Sequence, residues 1–148
     1  MKKFLQKKLK DQKGMTLIEL LAVIVIIAII AAIAIPAISN LIQNSREDAL
    51  VADAQNVLSA ATLYFAENGD ETEVGWDGTT TAGSNELEDY LEDTGNITEF
   101  SVAKDNGTTP TTITFSGDAG SETFSDVSAT KVELDAGRSS LGDADTAD

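Results

Sequence analysis

From Leu20 to Ile35 every residue is apolar, and between Met15 and Ile38 only Thr16 and Glu19 are polar. A helix that is apolar on every side has no face to offer water, so it belongs in hydrocarbon or against similar surfaces. The run is long enough to span a bilayer, which takes about 20 residues. Six lysines lie within the first 13 residues. By the positive-inside bias they stay cytoplasmic, which gives one span with the N-terminus in and the C-terminal part out.

Glu19 is the costly residue in this stretch. An acidic side chain at the centre of a membrane helix costs about 2.5–3.5 kcal/mol on insertion scales, and less near the interface, so a function is the default explanation for it. Just before it, Gly14 offers a peptidase an accessible backbone. Three readings of the segment compete. A secretory signal peptide would share the basic start and the apolar centre, with Ala32-Ile33-Ala34 as a small-x-small site, but the run is long for one and Glu19 sits badly inside it. A plain membrane anchor explains the hydrophobicity and neither the glycine nor the glutamate. The third is a signal cut on the cytoplasmic side after Gly14, with the apolar helix retained.

Gly14-Met15-Thr16-Leu17-Ile18-Glu19 resembles the processing signal of type IV pilins and pseudopilins. The resemblance covers about residues 8–67: basic leader, signal, apolar run with Pro36, and a long helix beyond. In that family prepilin peptidase, a membrane aspartic peptidase, cuts after the glycine and methylates the new amine. The resemblance thus implies that Gly14 ends the leader and that Met15 begins the mature chain and is N-methylated. It also implies a helical homopolymer as the product, with an assembly ATPase, a platform protein and minor pilins as partners. Two departures are visible: Met15 stands where phenylalanine is most usual, and the cysteine pair of many Gram-negative pilins is missing.

A physical case for Glu19 stands beside the resemblance. Cleavage before Met15 would leave a cationic amine in a hydrocarbon-like core, and an unpaired charge there costs several kcal/mol. Glu19 is the only carboxylate in the apolar segment. Between subunits it would fix register, the best-attested use of a buried ion pair. The plainer alternatives are pairing with its own N-terminus, or support of a helix start through the macrodipole. Pro36 removes one helix hydrogen bond and should kink the helix; an ordinary membrane-helix kink is the plain reading, and loosening between Glu19 and Pro36 during assembly is what the resemblance implies.

Composition narrows the remaining functions. From Gly14 onward four basic side chains stand against 24 acidic ones, a net of −20. Such a body repels phosphate, so no direct nucleic-acid binding is expected of it. The chain has no cysteine and no histidine, which removes disulfides, thiolate and imidazole ligands and the commonest general base. No enzyme activity and no cofactor or metal are expected. Asp143, Asp145 and Asp148 lack the glycine and closing glutamate of a calcium loop, so they read as a solvated acidic tail. Asn96 and Asn106 begin N-x-T sequons, relevant only where that glycosylation exists.

Beyond the run, Leu41, Ile42, Leu50, Ala54, Val57, Leu58, Ala61, Tyr64 and Phe65 recur at mostly three- and four-residue spacings until Asn68-Gly69-Asp70 stops the pattern. A helix from about Thr16 to Glu67 would extend about 78 Å. Gly75–Ser84 reads as loop, and Asn85 with Glu88 as the start of a short helix that ends by Gly95. Strands are expected at Ile97–Ala103, Thr111–Phe115 and Lys131–Leu134, with a weaker one at Thr123–Val127 and a turn at Asn106-Gly107.

The expected class is α+β: a long N-terminal helix, transmembrane in its first half and amphipathic in its second, with a small antiparallel sheet of three or four strands packed on it, as in pilins. The expected organisation is a basic leader (1–14), a transmembrane or filament-core helix (15–38), its amphipathic continuation (39–67), an acidic head (68–135) and a flexible acidic tail (136–148). The function that follows is a prepilin that becomes the subunit of a type IV pilus, a surface filament or fimbrium. Its rivals are a major pseudopilin of a competence or type II secretion system and a membrane-anchored extracellular binding module that never polymerises.

Overall fold

The computed structural model describes residues 16–78 and 87–142. Helix α1 spans Leu17–Glu67, followed by strands β1 (Glu73–Trp76), β2 (Ile97–Ala103), β3 (Thr112–Ala119) and β4 (Glu122–Thr130), helix α2 (Lys131–Asp135) and a 3-10 helix at Gly137–Ser140. The class is α+β: a long N-terminal helix with a small antiparallel sheet against it. Contacts divide the chain into two units, Met1–Asn40 and Leu41–Asp148.

In the first unit, residues 16–40 include no buried side chain. Leu17 is 90% exposed and Ile33 71%. The helix forms because leucine, isoleucine and alanine dominate and every backbone bond closes within the segment. It continues through Pro36 as one helix.

In the second unit α1 becomes amphipathic. Leu50, Val51, Ala54, Val57, Leu58, Ala61 and Phe65 are buried, a stripe at helical spacing. The antiparallel sheet, in the order β1-β2-β3-β4, supplies Val74, Phe100, Val102, Ile113, Phe115, Phe124 and Ala129 to the same core. Gly117 allows the sheet to approach the helix: a Cβ there would stand 2.6 Å from both Leu50 Cδ1 and the Asn96 carbonyl oxygen. Polar ties reinforce the packing. Asp53 accepts from Asn96 N and Nδ2, both at 2.9 Å, and Gln43 Nε2 donates to the Ala119 carbonyl at 2.7 Å. Arg138 Nε lies 3.0 Å from Asp48.

Several expectations need correction. The segment Lys131–Leu134 is not a strand: it is helix α2, because Thr130 caps it and Glu133 Oε2 in turn accepts from Thr130 N at 2.7 Å. The weak candidate at Thr123–Val127 is the core of a nine-residue strand. Its alternation is broken by a bulge: Phe115 pairs with Val127 but Gly117 pairs with Phe124, and Asp126 takes a positive φ of 51°. Buried Ser116 holds the bulge, donating to Glu99 Oε1 at 2.8 Å and accepting from Asp126 N at 3.0 Å. Strand β1 includes Gly75 and Trp76, which read as loop.

The expected short helix reduces, among the described residues, to one turn closed by Leu91 N on the Leu87 carbonyl at 2.8 Å; its expected cap, Asn85, lies outside them. Within the expected tail of residues 136–148, Gly137–Ser140 form the 3-10 helix and Leu141 is buried at 4% exposure. The acidic residues from Asp143 onward lie outside the described residues.

Candidate processing and assembly site

At the start of α1 the local sequence is Thr16-Leu17-Ile18-Glu19, a threonine three residues ahead of a glutamate. That is capping-box spacing, in which the two side chains satisfy helix-start N–H groups that would otherwise lack partners. The structure closes it on both sides. Glu19 Oε2 accepts from Thr16 N at 2.8 Å and from Thr16 Oγ1 at 2.9 Å, while Glu19 N donates to Thr16 Oγ1 at 3.3 Å. The same device, again a threonine and a glutamate, starts α2 at Thr130 and Glu133.

The carboxylate of Glu19 therefore sits over the first turn of the helix, where the macrodipole also favours a negative charge. It is solvent-exposed in the single chain, as are its neighbours Leu17 and Ile18. Gly14 and Met15, the expected processing pair, lie outside the described residues. Pro36 is 17 residues further along α1, about 25 Å at 1.5 Å per residue, so it and Glu19 do not form one site within a chain. The sequence pointed Glu19 to the amine of a neighbouring subunit, to its own N-terminus or to the macrodipole and not to Thr16 as its local partner, although the T-x-x-E spacing carries that signal.

A different feature escaped the sequence altogether. A cavity of about 610 Å³ opens on the sheet, lined by Trp76 and by the carboxylates of Glu73, Asp77, Glu99 and Asp126. Ser101 Oγ donates to Glu73 at 2.6 Å, so that carboxylate and Glu99 are both tied to serines. Among the described residues, no base other than carboxylate lines it. Trp76, Glu99 and Asp126 are far apart in sequence, and only strand pairing and the bulge bring them together.

Residues 9–35 match the prokaryotic N-terminal methylation motif. This is the class III signal motif of type IV pilins, so the resemblance read from Gly14 to Glu19 holds for the N-terminal segment. The match ends within the apolar run and leaves the acidic head outside it. A search of curated proteins finds no match for the chain, and a search of solved structures finds none either.

Among the described residues, α1 is the one helix long and apolar enough to cross a membrane. Motif and helix together support a type IV pilin- or pseudopilin-like protein, anchored in a membrane before assembly. They point to a structural role. A motif of this kind implies, in general terms, processing by a prepilin peptidase and self-assembly.

Proposed function

We propose that the chain is a prepilin, cut between Gly14 and Met15, N-methylated on Met15 and polymerised through α1 into a type IV pilus. The observation that carries this reading is the methylation motif at residues 9–35 joined to a helix whose apolar half buries no side chain among the described residues. A bilayer can cover that surface before assembly and the helices of other copies can cover it afterwards. In this reading Glu19 has two successive duties. In the membrane its capping bonds to Thr16 lower the cost of its charge. In the filament it neutralises the Met15 amine of a neighbouring subunit and so sets the axial register. Pro36 gives the helix a weak point at which it can loosen during assembly.

The experiment is the chemical identity of the mature N-terminus. Mass spectrometry of the membrane-extracted chain is expected to find N-methylated Met15. An intact Met1 would identify a static anchor that displays an extracellular module, and a start near Ile35 a secreted domain. A pseudopilin of a competence or secretion system would share the methylated terminus. Filament length separates it from a pilus: long sheared surface filaments support the pilus, and only short periplasmic or wall-spanning ones the pseudopilus. The assembly ATPase, platform protein and minor pilins belong to either machine.

A further inference from the structure

Among the described residues the sheet has two open edges, β1 and β4. An open edge presents unpaired N–H and C=O groups, a template on which a strand of another chain can pair. Strand β1 is four residues long and offers little to pair with. Strand β4 is nine residues long, and its side away from β3 has no strand beside it. The strand is irregular at its centre, where Asp126 has four residues of β4 on either side. Phe124, Val127 and Ala129 are buried, at a spacing of three and then of two. The bulge is the cause: Ser125 and Asp126 together stand opposite Ser116. Without Asp126, inward and outward residues would alternate from Thr123 to Ala129. The φ of 51° at Asp126 is one that glycine takes without strain and most side chains avoid. The chain nevertheless places an exposed carboxylate there, with its N–H turned inward to Ser116 Oγ at 3.0 Å.

We infer that the Asp126 bulge closes the β4 edge to a second copy of this chain, so that neighbouring heads do not join their sheets. Three effects coincide at the midpoint of the edge. Two β4 strands laid antiparallel and centred on each other would set Asp126 against Asp126, and like charges directly opposite are unfavourable. The extra residue breaks the outward ladder into two short runs and increases the local twist. The inward N–H of Asp126 takes one donor away from the edge. A bulge that served only to bend the sheet over α1 would need no charge, and glycine would fill the position with less strain. Gly117, beside Ser116, already gives the helix its close approach. The inference concerns the head alone and does not rest on the filament reading: any surface crowded with copies of this chain would bring such edges together.

The test compares full-length chains in detergent, where any association through α1 is common to all of them. One variant deletes Asp126. A second, Asp126→Asn, keeps a residue that tolerates the left-handed conformation and drops only the charge. A third joins the deletion to Ser128→Asp, which returns a carboxylate to an exposed position of β4. Sedimentation gives the self-association constant, and amide hydrogen exchange reports on the backbone of residues 122–130. The deletion is expected to tighten self-association about tenfold, the equivalent of a few cross-strand pairs, with β4 amides that become protected as concentration rises. Asp126→Asn should tighten it about two- to fivefold, and Ser128→Asp should reverse most of the effect of the deletion. A deletion chain that melts cooperatively and associates no more than wild type overturns the inference, as does tighter association without added protection of β4. If the deletion abolishes the cooperative melt, Asp126→Asn decides, and unchanged association there overturns it as well. Absence of filaments or of a methylated Met15 would count against the filament reading and leave this comparison intact.

Discussion

The capping box at Thr16 and Glu19 allows the charge of Glu19 to be separated from its hydrogen bonding. Glutamine can replace glutamate at the third position of a capping box, so Glu19→Gln keeps the bond from Thr16 N and removes only the charge. Thr16→Ala does the reverse: it deletes the threonine hydroxyl, which donates to Glu19 and accepts from its N–H, at a cost of about 0.5–2 kcal/mol, and leaves the carboxylate intact. Glu19→Ala removes both. If Glu19 pairs with a neighbour's Met15 amine in the filament core, losing its charge strands a buried cation, at a cost of about 3–5 kcal/mol per contact. That equals roughly two to three and a half decades in an assembly equilibrium, well above the cap's share. The expected order of sheared-filament yield is therefore wild type, then Thr16→Ala, with Glu19→Gln and Glu19→Ala both far lower. Membrane levels of processed subunit, from immunoblots of membrane fractions, must stay comparable across the set. Near-normal filaments from Glu19→Gln, together with a defect in Thr16→Ala, would refute the ion-pair argument and leave Glu19 as a helix cap only.

Three further outcomes test the head. Glu133 is held below its ordinary 4.5 by the Thr130 backbone N–H and then by the Thr130 hydroxyl. Its contribution to stability is thus present above the unfolded carboxylate pKa and lost as pH falls through the folded value; Glu133→Gln should flatten that part of the acid-unfolding curve of the detergent-solubilised chain. The Tyr90 phenol donates to Glu67 Oε2 at 2.6 Å and is pushed up to about 12, chiefly by that hydrogen bond, with lesser help from desolvation and the Glu67 charge. This contact contributes below the ordinary tyrosine pKa near 10 and fades as pH rises through 12. Ultraviolet titration should show a late-titrating phenol, that of Tyr90, which moves down in Glu67→Gln. Leu50, fully buried against Gly117, should cost about 2–5 kcal/mol when cut to alanine, read as a lower thermal midpoint; a change inside the error of the melt would contradict the packing described.

The long helix was legible because its signals are local. The apolar run, the three- and four-residue stripe from Leu50 to Phe65 and the stop at Asn68-Gly69 all lie along one stretch of chain. The α2 start was equally local, since Thr130 and Glu133 stand at capping-box spacing, yet the alternation of Val132 and Leu134 read as strand. The structure leaves Val132 79% exposed and buries Leu134, a one-sided pattern that a short helix serves as well as a strand does. Two apolar residues are too few to distinguish the two periods.

The sequence alone determined the long apolar helix, the N-terminal methylation motif and the acidic character of the part beyond it, because each depends on residue type and spacing along the chain. Tertiary structure decided the sheet. Strand β1 offers just Val74 as a buried residue within four and holds its place through pairing with β2. Strand β4 loses its alternation at Asp126, where Ser116 from the neighbouring strand sets the bulge. Leu141 is buried although nothing around it in sequence marks it. Ladder hydrogen bonds and core contacts come from partners distant in sequence, so an element with few apolar residues takes its form from what it packs against.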